Sequence, residues 1–122
     1  MTKSTTLVLI VALASSVAAC SSAPKPKAEI ALTNSALHSA ETSGAREFAP
    51  IELRTAREKK ELADQAVADE EYARAKRLSA EAKVDAELAQ AKAEAEKSRL
   101  ALKEVQDSIL LMRQEVSRAG SH

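Results

Sequence analysis

From Glu70 to Arg118 the chain contains neither glycine nor proline. In a helix interior these residues cost about 1 and 3 kcal/mol relative to alanine, so nothing in the span stops a helix. Forty-nine residues of α-helix reach roughly 70 Å. That length is incompatible with a compact bundle of equal helices. It predicts an all-α fold: a short helical hairpin or three-helix arrangement carrying one long, coiled-coil-like C-terminal helix. Composition agrees, because Ala, Glu, Lys, Leu and Arg make up 63 of the 103 residues after position 19. A share above one half accompanies long or coiled helices. Phe48 and Tyr72 are the only aromatics and bulky aliphatics are few, so the expected core is a thin layer.

Along the long helix, steps of four and three residues pass through Val84, Leu88, Ala91, Ala95 and Ser98. They continue through Leu102, Val105, Ile109, Met112 and Val116. All but Ser98 are apolar, the pattern of a coiled-coil seam. Its centre is small and its C-terminal end bulky, with Leu110 and Leu111 beside it. The candidate interaction surface is therefore Leu102, Val105, Ile109, Met112 and Val116. Short preceding helices would leave it bare, and an exposed apolar strip marks a binding surface. A partner helix from a second copy or from another envelope protein is the favoured occupant. Folding-back of the first helix or of the N-terminal linker is the alternative.

Two shorter helices precede it. The first is expected over Ala28–Ser43, with Ile30, Leu37 and Ala40 on one face and Gly44 as its stop. Thr33, Asn34 and Ser35 compete for backbone hydrogen bonds and weaken it in isolation. The second is expected over Pro50–Ala68, proline fitting the first turn. Its stripe runs through Leu53, Ala56, Ala63 and Val67, and the Lys60 stem is expected to cover apolar surface. Asp69 is the expected N-cap of the long helix over 70–118. A faint repeat aligns Gly44–Ala49 with Ala68–Ala73 at an offset of 24 residues. It is read as Phe48 and Tyr72 plugging two corners of the bundle, in preference to a tetratricopeptide-like array.

The N-terminus has a different logic. Lys3, the apolar run Leu7–Ala14 and the small residues Ser15, Ser16, Ala18 and Ala19 have the layout of a secretory signal over 1–19. The apolar stretch is shorter than the roughly 20 residues that span a bilayer, so a retained transmembrane helix is not expected. It ends Val17-Ala18-Ala19-Cys20, and Cys20 is the only cysteine. This resembles the lipobox of bacterial lipoproteins. The resemblance implies cleavage between Ala19 and Cys20, a diacylglycerol on the Cys20 thiol and an acyl group such as palmitate on the new amino group. Ser21 implies sorting to the outer membrane. Residues 20–27 then form a lipidated Pro/Lys linker before a helical domain over 28–118.

No catalytic, cofactor-binding or metal-ligating set is apparent. His38 and His122 are far apart, and there is no phosphate loop or Ser-His-Asp arrangement. Carboxylates interleave with Lys and Arg, as on a solvated helix surface. The chain holds 18 Lys+Arg against 18 Asp+Glu, without the basic surplus of a nucleic-acid binder. No enzyme, no cofactor and no nucleic-acid partner is expected.

The stretch Gly44 to Glu96 resembles the bacterial domain-of-unknown-function family 4398. The carriers are Gly44-Ala45 with Phe48-Ala49-Pro50, then Asp85-Ala86-Glu87-Leu88-Ala89, within a likeness from about Ala28 to Leu102. The resemblance implies an all-helical periplasmic fold and no known activity. Members are short envelope lipoproteins or precede a peptidoglycan-binding domain. No such domain is expected after Arg118, so that role is not carried over. The sequence thus points to a lipid-anchored outer-membrane lipoprotein on the periplasmic side, acting as a non-catalytic helical spacer or interaction module. The alternatives are a regulator docking on an envelope enzyme and a self-associating structural protein.

Overall fold

A computed structural model describes residues 23–120. The signal segment, Ala19, Cys20, the first linker residues and His122 lie outside the described residues. Within them the chain is helical: α1 Lys27–Thr42, α2 Ala45–Phe48, α3 Pro50–Ala68 and α4 Tyr72–Ala119. The expected all-α fold with one long C-terminal helix is present.

Glycine ends α1 for a geometric reason. Gly44 has φ +89°, a conformation that a Cβ makes costly. A Cβ there would also lie 3.4 Å from Cδ2 of Phe48. The chain then makes the single turn of α2, which the sequence reading did not anticipate, and Pro50 opens α3 at its first position.

The second turn differs from expectation. Asp69 is not the N-cap of α4; it closes α3. The amide of Glu71 donates to the carbonyl of Ala66 (2.8 Å) and that of Glu70 to Val67 (3.2 Å). These are the paired bonds of a Schellman stop. They place Glu70 at φ 59°, and α4 begins only at Tyr72. A non-glycine residue in that region costs about 1–2 kcal/mol. Glu70→Gly is therefore expected to raise the melting temperature by a few degrees, about 0.5–1 kcal/mol net of glycine's greater freedom in the unfolded chain. A thermal melt with an unchanged or lower midpoint would contradict that account of the turn.

Cross-helix pairs give the directions. Glu29 and Thr33 of α1 meet Lys76 and Ser79 of α4, and Ser43 meets Glu94. Rising numbers match rising numbers, so α1 runs parallel to α4. Glu52 of α3 meets Lys92 and Lys59 meets Asp85, so α3 runs antiparallel. Both short helices lie mainly on α4 and touch each other less.

The face of α4 they cover is Ala75, Ser79, Ala82, Ala86, Ala89 and Ala93. Methyl side chains let both helices approach closely, and the bulk comes from the other side, chiefly Leu37 and Leu53. Phe48 packs against this cluster at its corner, and Tyr72 is half-buried at the other turn. In α1 the buried set is Thr33, Leu37 and Ala40, with Ile30 only half-buried. Thr33 is held there because Oγ1 lies 2.8 Å from the Ser79 carbonyl and 2.9 Å from that of Glu29, either of which its proton satisfies. In α3, Ala66 is buried and Val67 half-buried. Lys60 stays on its own helix, paired with Asp64.

Candidate functional site

The sequence-read seam is not the face that holds the domain together. Ala82, Ala86, Ala89 and Ala93 are buried; Val84, Leu88, Ala91 and Ala95, two positions on, are exposed. Two residues turn an α-helix by about 200°. The expected seam is therefore turned out of the bundle, although Val84 still borders Lys59 of α3 and Ala95 borders the Phe48–Glu52 corner. Hydropathy favours Val84 and Leu88 over alanine, but close packing of two helices against one favours the smaller residues.

The short helices also end early. From Lys97 to Gly120 every residue is exposed. The final 23 residues of α4 form an arm reaching roughly 35 Å beyond the bundle. The five candidate surface residues, Leu102, Val105, Ile109, Met112 and Val116, all sit on it, with Val116 at 73% exposure. Nothing among the described residues folds back over them. Ile109, Met112 and Val116 border a shallow apolar hollow with the Arg113 stem and Ser117. Leu110 and Leu111 are exposed too, off the seam line. The seam thus runs unbroken from Val84 along the back of the bundle and out along the arm, and Leu88 is already 46% exposed.

Ion pairs along the edges of the contact hold α1 and α3 on α4. Lys59 Nζ lies 2.7 Å from Asp85 Oδ2 and 3.7 Å from Glu81. Asp85 Oδ2 has no hydrogen bond of ordinary geometry, so the ammonium meets it as a charge. This close contact with Asp85, more than the pull of Glu81, raises the Lys59 pKa above its ordinary value. Lys92 donates to Glu52 across the α3–α4 contact and lowers its pKa, helped by a backbone hydrogen bond. Lys76 reaches Glu29 of α1 at 3.1 Å. The Glu29 pKa is lowered first by a backbone hydrogen bond and then by Lys76. Glu41 accepts from both Arg57 and Arg46, with Arg57 chiefly lowering its pKa.

Among the described residues no group of three His, Cys, Asp or Glu is placed to hold a metal ion. Among the same residues, no helix is long and apolar enough to cross a membrane. His38 is exposed. Sequence reasoning found every large residue of the exposed seam, but missed the buried Ala/Ser line two residues before it. The alternating Ala/Ser run from Ala75 to Ala93 was the signal that identified that line.

No curated protein and no solved structure matches the chain. A family model, Domain of unknown function (DUF4398), matches residues 28–105. The match spans α1, α2, α3 and α4 through the first nine residues of the arm, leaving Ile109, Met112 and Val116 beyond it. Since it covers well over half of the 122 residues, the chain belongs to the DUF4398 family.

Proposed function

We propose that this protein is a lipid-anchored outer-membrane lipoprotein on the periplasmic side, working as a non-catalytic helical spacer and interaction module. The observation that carries the interaction reading is the bare apolar seam on a helix that outruns its own domain. The anchor reading rests on Val17-Ala18-Ala19-Cys20, where two or more acyl chains hold a protein stably on a membrane. The fold suits a spacer. Because α1 runs parallel to α4, the linker enters at the base of α4. With Cys20 seven residues before α1, the arm points away from the anchor and its tip lies roughly 65 Å from Lys76.

Cell fractionation tests the anchor. Wild-type protein is expected in the outer-membrane fraction, and Cys20→Ala is expected to be lost from it. A Cys20→Ala variant that still fractionates with the outer membrane would overturn the lipid anchor. A photo-crosslinking residue at Leu102 tests the module reading in the same cells: a defined product is expected, and none from any arm position would overturn it.

A further inference from the structure

The residues flanking the exposed seam are sorted by charge. In the heptad that puts Leu88, Leu102, Ile109 and Val116 at a, the e positions are Asp85, Lys92, Arg99, Gln106 and Arg113. The g positions from Glu87 onward are Glu87, Glu94, Ala101, Ser108 and Glu115. From Lys92 on, every charged e residue is basic, and the charged g residues are all acidic.

That sorting discriminates between ways of covering the seam. In a parallel in-register pair, each g residue meets the e residue of the next heptad on the partner. Glu87 then faces the Lys92 of a second copy, Glu94 faces its Arg99, and no like charges meet. In a fully overlapped antiparallel pair e meets e and g meets g. Arg99 would face Arg99 and Glu87 would face Glu115, like charges held together, against a single kind of attractive pairing, Asp85 with Arg113. Opposed charges at these positions set both partner choice and orientation.

We infer that α4 pairs in parallel and in register with α4 of a second copy of this chain, along the seam from Val84 to Val116. The seam is exposed along its whole length, with α3 beside one edge at Val84 and Ala95 and the buried Ala/Ser line of α4 turned the other way. The central Ala91, Ala95 and Ser98 let the two helices approach closely beside the bundles. The bulkier residues of the arm supply most of the buried area over the roughly 50 Å of contact. One further argument rests on the proposed anchor. Two chains held in one membrane have arms pointing the same way, which a parallel pair requires and an antiparallel pair forbids.

The Glu94–Arg99 contact offers the sharpest test. Lys92 is engaged by the charge of Glu52 of its own chain, whereas Glu94 accepts only neutral donors there, Ser43 and Gln90. Arg99, on the arm, pairs only locally with Glu96 at 2.8 Å. The experiment uses the full chain carrying Cys20→Ser, which makes an added thiol the only one and removes the anchor from the result. Sedimentation equilibrium is expected to give twice the mass of the single chain, as mass spectrometry of the same sample reads it. Met112→Cys is expected to form a disulfide-linked dimer on mild oxidation. Arg99→Glu is expected to weaken association about tenfold. Adding Glu94→Arg to it is expected to restore association to within about threefold, which a merely structural role for Arg99 does not predict. Met112 is 68% exposed, so its replacement leaves the fold intact, and helical circular dichroism verifies this for each variant.

A monomer mass at tens of micromolar overturns the inference. So does efficient linking of Leu88→Cys chains to Met112→Cys chains without Met112–Met112 linking, the mark of an antiparallel pair. A mass of three or more chains overturns the two-stranded assignment. A monomer whose Leu102 still crosslinks to a different envelope protein sinks the dimer while leaving the interaction module standing. A dimer that persists when fractionation shows no anchor does the reverse.

Discussion

Leu53→Ala is expected to cost about 2–5 kcal/mol and to lower the melting temperature by ten degrees or more. Leu53 is the largest fully buried side chain, at 2% exposure. The buried cluster it belongs to is otherwise alanine apart from Leu37, and alanines are too short to fill the space that truncation leaves. The lost burial and the cavity therefore add. A small domain with so thin a core has little reserve against such a loss. Thermal unfolding followed by circular dichroism measures it. Leu102→Ala removes the same atoms from the exposed arm and, at concentrations low enough to keep the chain monomeric, should move the midpoint by less than about 0.5 kcal/mol. Equal effects of the two changes would mean that α3 does not pack on α4 as described.

Ala86→Leu should have the second largest effect and the opposite cause. Ala86 is completely buried where α1 and α3 both rest on α4. Three added carbons must push one of them away, at about 1–3 kcal/mol. Leucine is as good a helix former as the chain needs, so any loss comes from packing. Ala80→Leu, on the exposed side of the same helix, should be near neutral. If Ala86→Leu proved neutral, the small-residue seam could not be the contact that orders the bundle. Amide exchange in α1 distinguishes partial undocking from global loss, since α1 contributes only one helix face and should open first.

Much of the architecture was legible because it follows from local rules. Gly44 and Pro50 mark the first turn, as their backbone preferences require. The second turn is less legible, since Glu70 takes the left-handed conformation that glycine or asparagine normally signals. Nothing in Asp69-Glu70-Glu71 distinguishes a cap for the following helix from the end of the preceding one. Backbone hydrogen bonds back to Ala66 and Val67 decide it. Thr33 is another case: polar and β-branched, it reads as a weak point in α1. It is buried because a carbonyl of α4 lies within reach of its hydroxyl.

The sequence by itself determined that the chain is all-helical, that its last helix outruns the others, and that this helix carries an apolar 4–3 seam from Val84 to Val116. These are properties of spacing and propensity, which act within one helix. Only the tertiary structure decided which face of α4 turns inward. Two heptad lines run along it, one of Ala and Ser, the other of Val, Leu, Ile and Met, about 200° apart. Hydropathy alone ranks the second above the first. Packing reverses the order, because two helices lying on a third need small residues beneath them. The larger residues are thereby left outside, exposed along the helix.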